Sequence, residues 1–195
     1  MNLQSYIFIG RSGCGKGTQA KLLAEYLKEP VLYVQSGDEF RNFIKGQSHT
    51  SKISNQISFT GGLQPEFLAV YMWVNVLVNK YTGDEHLIFD GMPRKLHEAG
   101  VLHSIFGFYG LSKPTVVYIN VSENWSVDHL MARGRSDDNR DEIRERLSWF
   151  GTDVIPAIEY YKKSADYNFV EINGEQPIEN VWKDVMSKVS YGSKK

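Results

Sequence analysis

The sequence predicts an α/β fold, with five strands in one parallel sheet and helices on both faces. Short apolar runs rich in β-branched and aromatic residues recur along the chain, as expected of strands buried on both sides. Helical patterns lie between the runs, and repeated strand–helix–strand order leads to parallel strands joined by crossovers. The first run ends in a glycine-rich loop that opens directly into a helical pattern.

Residues 6–9, Tyr-Ile-Phe-Ile, form the first predicted strand. Residues 16–28 follow as a helix with Ala20, Leu23, Ala24 and Leu27 on one face. The other predicted strands are residues 31–34, 87–89, 116–119 and 169–172, and further helical patterns cover 65–80, 122–133, 138–163 and 177–189. Residues 37–80 hold two or three helices between the second and third strands, more than a crossover needs. That segment reads as a helical subdomain inserted into a single domain spanning 1–195.

The chain has 195 residues, of which 42% are hydrophobic and 23% charged, enough to bury a real core. A net charge of −1 gives no bulk attraction to nucleic acid or to an anionic membrane, so any anion site must be a local cluster of basic residues. Cys14 is the only cysteine, which excludes an internal disulfide and a cysteine-rich zinc site. No apolar run is long enough to span a bilayer, and the N-terminus lacks the basic and apolar regions of a secretory signal. The expected location is the cytoplasm.

The loop Gly10-Arg11-Ser12-Gly13-Cys14-Gly15-Lys16-Gly17-Thr18 lies between the first strand and the first helix. In that setting glycines let backbone N–H groups curl around phosphate oxygens, and the helix N-terminus adds free donors and a favourable dipole. Lys16 can reach the β- and γ-phosphates of a nucleoside triphosphate. The general loop has Ser or Thr directly after the lysine, whereas here Gly17 intervenes before Thr18. Cys14 reads as a small filler. Asp90 closes the third apolar run, at the carboxyl end of a strand where ligands sit in open α/β sheets. It could hold Mg²⁺ directly or through water, or serve as a turn residue.

Gly13-Cys14-Gly15-Lys16-Gly17-Thr18-Gln19, Ser36-Gly37-Asp38 with Arg41, Asp90-Gly91-Met92-Pro93-Arg94, and Arg133, Arg135-Ser136-Asp137-Asp138-Asn139 and Arg146 occur in that order. Together they resemble the adenylate kinases and related nucleoside monophosphate kinases over nearly the whole chain. The resemblance implies a P-loop three-layer sandwich, a monophosphate-binding insertion at residues 36–66 and a lid over ATP. It also implies reversible phosphoryl transfer from MgATP to a nucleoside monophosphate, AMP before GMP or a pyrimidine monophosphate, by a monomer. Lys16, Arg94, Arg133, Arg135 and Arg146 match its catalytic cations. Residues 13–18 and Arg133 match its ATP contacts. The acceptor contacts map to Ser36, Arg41, Gly62, Leu63, Gln64, Gly91, Met92, Pro93, Arg94, Glu98, Arg135 and Arg146, and Asp90 is the carboxylate for Mg²⁺ through water.

The sequence departs from that pattern in four places. Only Gly134 separates Arg133 from Arg135, so the lid at 133–139 is vestigial. Glu98 replaces a base-reading glutamine, and an ionised glutamate only accepts hydrogen bonds. Adenine pairs an N6 donor with an N1 acceptor, whereas guanine presents two adjacent donors. Glu98 therefore either shifts the acceptor base or points to solvent. Gln64 stands where valine is common beside the base. His129 either stacks on the ATP adenine or lies on a helix surface. The short lid leaves a weakly catalytic nucleotide-binding regulator as another reading, against which the intact set of cations argues. Trp73, Trp125, Trp149 and Trp182 read as packing residues.

Overall fold

The computed structural model describes residues 3–27, 29–111, 113–134 and 140–189. Arg135 and the rest of the predicted lid through Asn139 lie outside the described residues.

Five strands, β1 (Ser5–Gly10), β2 (Val31–Gln35), β3 (His86–Asp90), β4 (Thr115–Asn120) and β5 (Asn168–Asn173), form one sheet in the order β2-β3-β1-β4-β5. All neighbouring pairs are parallel, with Ile7 opposite Phe89 and Val116, and Val34 opposite Phe89. Each strand contains its predicted run and extends it by a residue or so.

Alternation along the strands divides the core in two. Ile7, Ile9, Val34, Leu87, Phe89, Val116 and Tyr118 point to one face. They pack there on α4 (Glu66–Lys80), α5 (Leu96–Phe108) and α8 (Ile155–Lys163) through Trp73, Leu77, Leu102, Phe106, Ile158 and Tyr161. Tyr6, Phe8, Ile88, Val117, Ile119 and Ile172 point to the other face. They pack on α1 (Lys16–Tyr26) and α9 (Ile178–Lys188) through Ala20, Leu23, Val181 and Val185.

Between β2 and β3 the chain forms α2 (Ser36–Phe43), α3 (His49–Phe59) and α4. Ser48 caps α3 by accepting a hydrogen bond from the Ser51 N–H. After β4, α6 (Glu123–Arg133) is capped by Ser122, which accepts from the Trp125 N–H. Leu130 of α6 packs with Ile143 and Leu147 of α7 (Arg140–Trp149) in a separate small cluster.

The helix expected over 138–163 is not continuous. α7 ends at Trp149, a π-helical turn covers Phe150–Val154, and α8 begins at Ile155. Pro156 explains the break, because it has no N–H for the carbonyl four residues back and its ring would clash with that carbonyl. The backbone widens instead, and the Ile155 N–H donates to the Phe150 carbonyl five residues away.

Trp73 is fully buried at the centre of the α4 face, and its Nε1–H has no acceptor among the described residues. Trp73→Ala should therefore lose about 3–5 kcal/mol of stability, read from urea unfolding by circular dichroism. Trp73→Phe should cost less than half as much, because it removes the unpaired N–H along with some volume.

Candidate active site

The connections leaving the adjacent strands β1 and β3 run to opposite sides of the sheet, which opens a crevice at their carboxyl ends. A cavity of about 340 Å³ lies there, and Ile9, Gly10, Gln35 and Asp90 reach it from the strands. Lys16, Arg41, Arg94, Arg133 and Arg146, contributed by separate segments of the chain, all line it.

Gly15 precedes α1 with φ 86°, a left-handed conformation that favours glycine. Lys16 is the first residue of the helix, and its Nζ donates to the Arg11 carbonyl at 3.4 Å. Gly10, Ser12, Lys16 and Gly17 line the cavity, whereas Gly13, Cys14, Gly15 and Thr18 of the same loop do not, Gly15 and Thr18 being exposed. Cys14 is buried, and burial pushes its thiol pKa up, so it is a neutral packing residue. Gln19 is structural, its Nε2 donating to the Ile178 carbonyl at 3.1 Å and tying α1 to α9.

A Cβ on Gly17 would lie 3.0 Å from Asp90 Oδ2, closer than ordinary contact. The glycine that departs from the general loop therefore lets the β3 carboxylate reach the first turn of α1. The Tyr33 hydroxyl donates to Asp90 Oδ2 at 2.9 Å. Burial, and then the nearby Asp90 charge, hold the Tyr33 pKa up and keep the phenol protonated as a donor. Sequence reasoning missed Tyr33, since an aromatic residue within a strand looks like core.

The turn after Asp90 continues the wall beside Lys16, where a Cβ on Gly91 would lie 3.6 Å from Lys16 Cε. Ser36 Oγ and Arg94 Nε both donate to the Gly91 carbonyl, at 3.1 and 3.0 Å. Pro93 lines the cavity and follows a cis peptide bond after Met92. Arg41 pairs with Asp38 at the surface, where a phosphate can compete for it. Gly37 leaves room for this guanidinium, since a Cβ there would lie 3.2 Å from Arg41 Nη1. Burial lowers the Arg94 pKa, Glu98 and Asp90 oppose that shift, and the like charges of Arg146 and Arg41 add to it.

Glu98 does not point to solvent. It is 3% exposed and lines a small recess behind the cavity with Leu63, Met92 and Trp73. Its Oε2 accepts the Arg94 backbone N–H at 2.9 Å and so ties the residue before the Lys95 N-cap to the first turn of α5. Burial raises its pKa, against the opposing pull of Arg94. Gln64 lines the cavity beside Gly62, but its amide is used internally. Its carbonyl accepts from Ser54 Oγ, and its NH₂ group donates to the Ser54 carbonyl and to Ser58 Oγ, each at 2.9 Å.

His129 lies on the α6 surface, stacked on Trp125 with ring centroids 4.2 Å apart. Trp73 is core, as expected, and Trp149 packs against the same core from a partly buried position. It lines the cavity, and the Arg94 guanidinium sits 5.5 Å from its ring centroid. Nothing in its spacing marked it as different from the other tryptophans.

A family model described as adenylate kinase matches residues 8–166. The chain belongs to the adenylate kinase family. It is similar to adenylate kinase 1 of Nostoc sp. PCC 7120, with 34% identity over 96% of this chain and 98% of that one. It is also similar to the adenylate kinase of Azobacteroides pseudotrichonymphae, at 30% over 92% and 94% of the two chains. The adenylate kinase of Corynebacterium diphtheriae is 31% identical over 90% of this chain and 93% of its own. As a family member the chain is an ATP-binding transferase, a nucleoside monophosphate kinase. No helix among the described residues is long and apolar enough to cross a membrane.

The buried Glu98 carboxyl has a pH signature. Its folded-state pKa lies above the usual 4.5, so the ionised form weakens the fold. That penalty is absent below 4.5 and grows as pH rises through the elevated folded value. Glu98→Gln should therefore melt at a higher temperature than the parent at pH 8, and the gap should close as pH falls to 4.5.

Proposed function

We propose that this cavity carries the family's reaction, MgATP + AMP ⇌ 2 ADP, with the donor triphosphate on the 10–18 loop and the acceptor against α2 and the turn after Asp90. The convergence of Lys16, Arg41, Arg94, Arg133 and Arg146 on one cavity carries this reading. Phosphoryl transfer requires little covalent chemistry from the protein. It requires the two phosphates in line and cations where charge accumulates.

Lys16, at the N-terminus of α1, holds the donor phosphates together with the loop amides. Arg41 and Arg94 bind the acceptor phosphate, and Arg94 is already oriented by its bond to the Gly91 carbonyl. Arg133 and Arg146 stabilise the transferring group from the cavity wall, and the motif assigns Arg135, outside the described residues, to the same role. Arginine suits these positions because its planar fork pairs with two phosphate oxygens at once. Residues 36–66 form the wall that binds the monophosphate.

Asp90 fits a magnesium ion carried in mainly by phosphates and water, which needs only one or two protein carboxylates. Among the described residues no cluster of three acidic, histidine or cysteine side chains competes for that role. Bound there, Mg²⁺ would neutralise phosphate charge. The enzyme is read as a cytoplasmic monomer.

Glu98 favours a second acceptor. As a carboxylate in the recess it mismatches the adenine N1 lone pair and matches the adjacent donors of guanine. A coupled assay with MgATP and each common monophosphate tests both readings. AMP should turn over, and Glu98→Gln should raise kcat/KM for AMP about tenfold, the effect of about 1–3 kcal/mol at a buried edge, while lowering it for GMP. Equal AMP and GMP values in the parent and the variant would remove Glu98 from base choice. Inactivity on every monophosphate would leave a nucleotide-binding regulator.

The single residue between Arg133 and Arg135 cannot form a broad cover, so water should reach the donor phosphate. ATP hydrolysis without acceptor should exceed that of Lys16→Ala, measured as phosphate release. The same substitution should lower kinase kcat by at least about a hundredfold.

A further inference from the structure

Trp149 is the last residue of α7, the helix that brings Arg146 to the cavity. Its ring lies beneath the Arg94 guanidinium at 5.5 Å, and its Nε1–H donates to the Gly61 carbonyl at 3.4 Å. Gly61 and Gly62 belong to the link between α3 and α4 and also line the cavity. One indole thus touches the arginine after β3 and the end of the inserted helices, and it rides on the helix that carries a third cation.

The next residue makes a parallel contact on the other side. Phe150 packs under the Arg11 guanidinium at 4.1 Å, and Arg11 belongs to the phosphate loop. Successive side chains on a helix point about 100° apart, so two adjacent rings necessarily face different neighbours. The π-helical turn starting at Phe150 follows directly and fixes this junction against α8.

We propose that Trp149 is a positioning residue for the acceptor phosphate. Its ring fixes the plane of the Arg94 guanidinium, and its N–H holds the Gly61 end of the insertion against the cavity. The inference rests on the kinase reading of this cavity and adds a residue to it. A residue that only packs would act on stability and on both substrates alike. A residue that sets Arg94 and the insertion acts on the acceptor.

The experiment compares the full-length parent with Trp149→Leu, which removes both contacts, and Trp149→Phe, which keeps a ring for Arg94 and loses the N–H. KM for AMP, KM for ATP, kcat and thermal melting are measured for each. In Trp149→Leu the KM for AMP should rise about tenfold, KM for ATP should stay within about twofold, and the melting temperature should shift by only a few degrees. Trp149→Phe should recover most of the AMP affinity and retain a two- to threefold rise. Unchanged KM for AMP in Trp149→Leu, or a parallel rise for both substrates, overturns the proposal. If the leucine variant does not fold, the phenylalanine variant decides on the same split. A parent that turns over no monophosphate defeats the kinase reading itself. An active parent whose variants show no split defeats only the role of Trp149.

Discussion

Repulsion among cations is the constraint on which the rest of the site depends. Lys16, Arg41, Arg94, Arg133 and Arg146 share one cavity, and like charges at short range in a partly dry site disfavour one another. The fold counters this with acids and carbonyls placed behind the cations. Asp90 reaches the start of α1 because Gly17 has no side chain in the way. Asp38 holds Arg41 at the surface, the Gly91 carbonyl takes Arg94 Nε, and Glu98 stands behind the same arginine. The site is thus held in a state that an incoming phosphate can improve.

The same constraint explains the local architecture. A buried carboxylate such as Asp90 needs a donor, and Tyr33 supplies one from the neighbouring strand. Arg94 needs its plane fixed, and a carbonyl and an indole face supply that from two sides. Gln64 meets the opposite need, since its amide ties the insertion together internally.

What was legible in the sequence follows from what leaves a local mark. Strands buried on both faces leave continuous apolar runs, and all five were readable. The loop of residues 10–18 leaves glycines at fixed spacing, and Arg41, Arg94, Arg133 and Arg146 stood in recognisable motifs. α5 leaves a weaker mark, because it is apolar around much of its surface and includes Gly100 and Gly107. The break after Trp149 comes from Pro156, acting back along a helix whose periodicity looked unbroken. Tyr33, Trp149 and the burial of Glu98 could not be read from the sequence. Each depends on what lies opposite in space, and an aromatic or acidic residue looks the same in sequence whether it packs, pairs or lines a site.

The Gly91 carbonyl accepts from both Ser36, at the start of α2, and Arg94, the arginine of the following turn. A single oxygen therefore joins two elements, α2 and the turn after β3. Swinging α2 outward would free one of its lone pairs and loosen the turn that aims Arg94. Ligand binding and the integrity of this anchor are then linked, so a ligand that binds better when the anchor is made also favours the anchored state, by its difference in affinity for the two.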